Sequence, residues 1–241
     1  MLRSIQQFYG DKLGASDGEI GHVKDFYFDD RNWAIRYLVA DTGSWLPGRL
    51  VLISPHSLGS LDATGKILSV RLTRKQIEES PSIHSSKAVS RQYEEEYYKY
   101  YGWPRYWEGN GLWGMSDVPG LELPPPVLET EPPIEPPVVT ANYGEGADAH
   151  LRSAKAVQGY HVQAGGEIIG HISDFMIDPR NWAIRHLVVK TGHRLSGSEV
   201  QISTGEIDRT SYAESTVFVN LPGETGAQKP GSALAAVGTA H

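Results

Sequence analysis

His22 and Asp25 stand three residues apart and recur as His171 and Asp174, an imidazole and a carboxylate of the types that general-base catalysis or a metal site would use. Both pairs fall in segments that read as β-strand, where residues three apart point to opposite faces, so the two side chains cannot converge on one ion or substrate. The remaining histidines, His56, His84, His150, His161, His186, His193 and His241, do not recur with the repeat described below. There is no Cys, which excludes disulfides, thiolate metal sites and cysteine nucleophiles. The glycine-bearing run Gly43–Gly48 (GSWLPG) lacks the Lys and following helix of a phosphate loop, and no Ser sits in a nucleophile elbow. No catalytic, cofactor-binding or metal residue is therefore assigned, and the chain reads as a non-enzyme.

Asp25 and Arg36 lie symmetrically about a predicted turn, as do Asp174 and Arg185. They are expected to be cross-strand or diagonal partners that pin the register of a hairpin.

The densest chemistry is aromatic. Between Tyr93 and Trp113 the chain carries nine of its 23 aromatic residues. Tyr93, Tyr97 and Tyr100 or Tyr101 repeat at helical spacing, which predicts a short amphipathic helix over Ala88–Tyr101, stopped by Gly102 and Pro104. Tyr97, Tyr101, Trp103, Tyr106 and Trp107 are the candidate interface residues, because so many large rings are typical of anchors that leave water. Whether they dock on the chain itself or on a partner stays open.

The elements that would position these residues come from an internal repeat. Gly21–Ser54 aligns without a gap to Gly170–Ser203 at a shift of 149 residues, with 20 of the 34 positions identical. Within each copy Trp33, Ile35, Tyr37 and Val39 alternate with their neighbours at a period of two, and Val23–Asp29 reads as the preceding strand. Asp29-Asp30-Arg31-Asn32 and Asp178-Pro179-Arg180-Asn181 predict a type I turn followed by a left-handed Asn, hence a β-hairpin in each copy. Arg49–Ile53 and Ile67–Leu72 add further strands.

Net charge is −7, and it has one source. Lys plus Arg against Asp plus Glu is 10 and 10 over residues 1–80, 4 and 11 over 81–150, and 8 and 8 over 151–241. Two charge-balanced halves flanking an acidic middle do not make the basic footprint of a nucleic-acid binder. No apolar run approaches the roughly 20 residues that span a bilayer. The expected location is the cytoplasm, with peripheral association to an inner-membrane complex and self-association left open.

The segments Gly18–Asp29, Trp33–Gly43, Trp45–Ser54 and Leu72–Ile83 resemble the PRC-barrel family, whose domains include the cytoplasmic barrel of the photosynthetic reaction-centre H subunit and the barrel domain of a ribosome maturation factor. The resemblance covers both copies and implies an all-β chain: two small barrels in tandem, joined by an aromatic, proline-rich acidic connector. Residues 1–83 form the first repeat, 84–118 the aromatic segment, 119–152 a Pro/Glu-rich linker, 153–222 the second repeat and 223–241 a disordered tail. It further implies an adaptor or scaffold that binds other proteins, with no cofactor and no catalytic residues to carry over. The alternative is an RNA- or ribosome-associated assembly factor, although the chain lacks a basic patch. The second copy lacks a counterpart of Thr73–Pro81, Leu221 running straight into Pro222.

Overall fold

A computed structural model describes residues 1–47, 49–61, 66–81, 83–84, 89–120, 151–191 and 198–221. Most of the expected linker and the tail beyond 221 lie outside the described residues. The first part of the chain folds as β1 (Arg3–Ser4), β2 (Lys12–Ala15), β3 (Gly18–Asp29), β4 (Ala34–Asp41), β5 (Arg49–Ile53), β6 (Leu58–Leu61), β7 (Ile67–Val70), α1 (Arg74–Glu78), β8 (Ile83–His84) and α2 (Arg91–Tyr101). The later part adds β9 (Leu151–Ser153), α3 (Ala154–Val157), β10 (His161–Ala164), β11 (Glu167–Asp178), β12 (Ala183–Thr191), β13 (Glu199–Ser203), β14 (Ile207–Ser211) and β15 (Thr216–Val219). Strand predominates over helix, as the all-β expectation requires.

The hairpin that the repeat encodes is β3–β4, and its counterpart is β11–β12. Asp29 sets the turn: its carboxylate accepts the Arg31 N–H at 2.9 Å and Asn32 Nδ2 at 2.8 Å, the side-chain–backbone closure that Asp favours in turns. The left-handed residue is not Asn32 but Trp33, with φ +50°, and Trp182 matches it at +58°. In the second copy the Trp182 N–H reaches back to the Asp178 carbonyl at 2.7 Å, a loop one residue longer than the type I turn alone predicts. Asp29 consequently pairs with Ala34. A bulky residue at positive φ costs on the order of 1–2 kcal/mol and persists only where its surroundings demand it. Phe28 stacks on Trp33 with centroids 5.2 Å apart, and the Trp33 carbonyl has a partner described below.

Each hairpin carries two β-bulges at equivalent places. On β3 the register steps from Val23↔Ala40 to Asp25↔Val39, leaving Lys24 as the extra residue. On β4 it steps from Tyr27↔Tyr37 to Phe28↔Ile35, leaving Arg36. The second copy repeats both steps, around Ser173 and Arg185. A bulge re-aims side chains, and here it sends consecutive residues, Arg36 and Tyr37, to the same covering segment.

Pairing order in the first half is β6–β7–β2–β3–β4–β5, and in the second β14–β15–β10–β11–β12–β13, with β2–β7 and β10–β15 parallel. No pairing among the described residues joins β5 to β6 or β13 to β14, so each sheet is open. Gly21 and Gly170 sit where β3 and β11 cross tightly under the next strand. A Cβ on Gly21 would lie 2.0 Å from the Asp41 carbonyl oxygen, and one on Gly170 2.4 Å from that of Lys190. Gly21 also has φ +126°, so only glycine fits without a shift of backbone.

The halves join on an approximate twofold relation. Ala34 of β4 pairs with Ala183 of β12, its own counterpart at the 149-residue shift. Around that pair the Ile35 N–H donates to the Trp182 carbonyl at 2.9 Å and the Ile184 N–H to the Trp33 carbonyl at 2.7 Å. The ends are exchanged: β1 pairs with β11 (Arg3↔Ile177, Ser4↔Met176), and β9 pairs with β3 (Phe28↔Arg152, Tyr27↔Ser153). Leu151 and Arg152, assigned from sequence to the linker, thus belong to a strand of the opposite half's sheet. One hydrophobic core runs through both halves, from Leu13, Phe26 and Phe28 to Phe175, Ile184 and Val217. No helix among the described residues is long and apolar enough to cross a membrane.

Candidate functional site

The aromatic segment forms a cap on the outer face of β4 and β5. Its helix α2 starts at Ser90, whose hydroxyl accepts the Tyr93 N–H at 3.2 Å, and stops at Gly102, left-handed with φ +68°. It begins three residues later than the sequence spacing predicts. Tyr93, Glu94, Tyr97 and Tyr98 are all buried under it.

Arg36 is the centre of the cap. The guanidinium is fully buried, donates to the Leu112 carbonyl at 2.7 Å and to Asp29 Oδ2 at 3.1 Å, and lies 3.8 Å from the Tyr106 ring centroid and 4.9 Å from that of Trp113. Stacked, forked recognition of this kind is what a planar guanidinium does and an ammonium does not. Burial works against ionisation of Asp29, yet Arg36, Asn32 and the Arg31 N–H together hold its carboxyl below the usual carboxylate range. The expected Asp25–Arg36 pair does not form. The longer loop and the bulge at Arg36 slide β4 so that Asp25 faces Val39. Asp25 instead accepts Ser153 Oγ and the Lys155 N–H from the other half. In the second copy Arg185 is exposed and Asp178 pairs with Arg180 at 2.7 Å. The histidine–carboxylate pair stays apart too, His22 being exposed in register with Asp41.

Beside Arg36 lies a second buried polar group. Glu94 Oε1 accepts from the Tyr37 hydroxyl at 3.1 Å and the Tyr106 hydroxyl at 2.8 Å, and Oε2 lies 3.1 Å from Arg91. Burial and the neighbouring Glu94 carboxylate push both phenols well above their ordinary pKa, so they stay protonated donors. His56 closes the site. It stacks on Trp103, meets Trp113 edge-on at 5.0 Å, and accepts the Gly120 N–H on Nδ1 at 3.0 Å. Burial, then Arg36 and Arg71, push its pKa down to about 4, so the ring is neutral.

The five candidate interface residues meet in this cap. Tyr97 and Tyr106 are buried, Tyr97 donating its hydroxyl to the Leu52 carbonyl. Tyr101, Trp103 and Trp107 are half-buried: Tyr101 stacks on Trp103 at 4.4 Å, and Trp107 lies under Arg91 at 4.3 Å. Trp113 adds a tie to the second half, its indole N–H donating to the Asn181 carbonyl at 2.8 Å. Sequence reasoning does not find Arg36 and His56 as cap residues, because nothing in their spacing shows that a segment some 60 residues onward would cover them. Glu94, which belongs to that segment, is expected from the sequence to stay in water with Glu95 and Glu96, and is instead buried because its carboxylate meets the Tyr37 and Tyr106 hydroxyls and Arg91.

Among the described residues the cap has no equivalent on the second half, and the substitutions between copies agree with this. Tyr37 becomes His186 and the buried Leu52 becomes the exposed Gln201. An aromatic cover would gain little apolar burial there. Among the described residues no group of His, Asp and Glu is placed to hold a metal ion. No family model matches the chain, and no curated protein aligns with it.

Proposed function

We propose that the chain is a non-enzymatic adaptor, a pair of PRC-barrel-type units that binds other proteins at the periphery of a membrane complex, as the resemblance to the reaction-centre H subunit's barrel implies. The observation that carries this reading is the asymmetry laid over the repeat. Two copies of one unit are clamped by exchanged strands, and an aromatic cap covers Arg36 while the equivalent Arg185 faces solvent. Clamping gives a rigid platform, and divergence of the faces gives it two different surfaces, which is what a bridge between different proteins needs.

The test is quantitative affinity capture with the full chain, crosslinked in native lysate, against a matched chain carrying Arg185→Glu and Lys190→Glu. A discrete set of proteins at near-stoichiometric yield, diminished by the charge reversals, supports the adaptor. Capture of nothing above background sinks it.

A further inference from the structure

Packing alone does not account for Glu94 and the phenols bonded to it. Exchanging a buried ion pair and its hydrogen bonds for well-packed apolar side chains is often neutral or stabilising, so Phe and Leu side chains would cover β4 and β5 as well. What the polar atoms add is a place for a proton to go. Glu94 Oε1 lies 2.8 Å from the Tyr106 oxygen and 3.1 Å from that of Tyr37, within reach of a base and the proton it takes up. Arg91, 3.1 Å from Oε2 and donating to the Tyr106 hydroxyl at 3.2 Å, has no lone pair with which to take it. Other phenols of the cap end differently. Tyr93 donates to the Pro81 carbonyl, Tyr97 to that of Leu52 and Tyr100 to that of Gln76, and a carbonyl oxygen accepts the hydrogen bond without accepting the proton.

The rings of the cap run in a close series from the surface to this carboxylate. Trp107, half-buried, has its ring centroid 4.9 Å from that of Tyr106. A second route starts at the exposed Tyr100 and passes Tyr101 at 4.8 Å, Trp103 at 4.4 Å, Tyr98 at 5.8 Å and Tyr106 at 5.8 Å. Centroids this close bring ring edges near van der Waals contact, where electron exchange between π systems is fast. In a chain without Cys, Tyr and Trp are also the side chains most readily oxidised by one electron. Electrostatics then select the product. The Arg36 guanidinium lies 3.8 Å from the Tyr106 centroid, on a ring whose hydroxyl already meets Arg91. A positive charge on that ring is repelled by both guanidinium groups, so the ring gives up an electron only together with its hydroxyl proton.

We propose that the cap is a relay for oxidising equivalents, in which Tyr106 gives its electron outward through Trp107 or Trp103 and its proton inward to Glu94. The reactant from outside is a high-potential one-electron oxidant at the surface of the cap. It takes one electron from an indole and is itself reduced by one, and an electron from Tyr106 refills the indole. The Tyr106 O–H bond breaks, and the proton passes to Glu94 Oε1, leaving a neutral tyrosyl radical beside a carboxylic acid. One electron from a reductant, with the proton returned by Glu94, restores the resting group. Tyr37, bonded to the same oxygen and 6.5 Å from Tyr98, is the second place where the radical can rest. The relay stands apart from the adaptor reading, which its failure leaves untouched.

The experiment is flash photolysis of the full chain with tris(bipyridine)ruthenium(II) and a sacrificial cobalt(III) acceptor, which leaves ruthenium(III) as the oxidant. Transient absorbance and freeze-quench electron paramagnetic resonance follow the radical. The native chain is expected to give a neutral tyrosyl radical whose rate of formation does not change with the concentration of buffer base, because the base is Glu94. In Glu94→Gln, whose amide accepts the hydrogen bond and takes no proton, that rate should fall at least about tenfold and come to depend on buffer. Tyr37→Phe combined with Tyr106→Phe keeps both rings and should cut the yield of buffer-independent radical at least about tenfold. Circular dichroism checks that each variant folds; if Glu94→Gln does not, the buffer series on the native chain and the double variant decide. A native radical that forms in proportion to buffer base, or a buffer-independent radical that survives at native yield in the double variant, overturns the proposal.

Discussion

The hydroxyl of Ser153 donates to the carboxylate of Asp25 at 2.5 Å, across the boundary between the halves. Its mirror is Ser4, which donates to Asp174, and both carboxylates also accept a backbone N–H from the same visiting segment: Lys155 at 3.2 Å for Asp25, Gln6 at 3.4 Å for Asp174. Each carboxylate is a socket for the first turn that follows the other half's exchanged strand. Removing one strands a hydroxyl and an N–H, so Asp25→Ala and Asp174→Ala should each lower unfolding free energy by about 1–3 kcal/mol in urea denaturation. A measured change in only one of the two would break the twofold equivalence.

Arg36 and Arg185 occupy the same place in the two copies with opposite exposure. Arg36→Ala leaves Asp29 buried without its partner and should cost about 3–5 kcal/mol. Arg185→Ala, at an exposed site, should stay within about 0.5 kcal/mol. Thermal or chemical denaturation of the pair decides it, and equal costs would mean that the cap does not bury Arg36.

The cap should loosen in acid. In the folded chain His56 takes a proton only near pH 4, while in the unfolded chain it does so near its ordinary 6.5. Over that window the unfolded state binds the extra proton, so stability is whole above about pH 6.5 and falls as pH drops toward 4, by up to about 3 kcal/mol. Denaturation curves at a series of pH values should show this slope in the native chain and a shallower one in His56→Gln.

Trp113 links the cap to the second half through Asn181. Trp113→Ala removes a buried ring and that hydrogen bond together and should cost about 3–5 kcal/mol. Hydrogen exchange should report faster exchange in α2 and around residues 178–183 alike; loosening confined to α2 would mean that the tie carries no coupling.

The repeat and its hairpins were legible because strand periodicity and the Asp-x-Arg-Asn turn are local signals, and local chemistry is what a sequence displays. The left-handed position escaped. Asn32 is the intrinsic choice for positive φ, but Trp33 takes it because its carbonyl must meet Ile184 and its ring must lie on Phe28. The bulges at Lys24 and Arg36 escaped as well, and with them the partner of Arg36, since one extra residue in a ladder changes every pairing beyond it. The exchanged strands did leave a trace: Leu2-Arg3-Ser4 recurs as Leu151-Arg152-Ser153 at the same shift, well ahead of the aligned stretch. Three residues are too few to show that a segment belongs to the neighbouring sheet.

The Ala34–Ala183 contact, with its two reciprocal N–H to carbonyl bonds, is the junction that two identical chains would make on a twofold axis. Built from separate chains, it would form only above a threshold concentration and would oblige both surfaces to change together. Carried on one chain, assembly no longer depends on dilution, and each copy is free to drift. Arg36 under its cap and Arg185 in water are two fates of one residue, a divergence that a true homodimer could never keep.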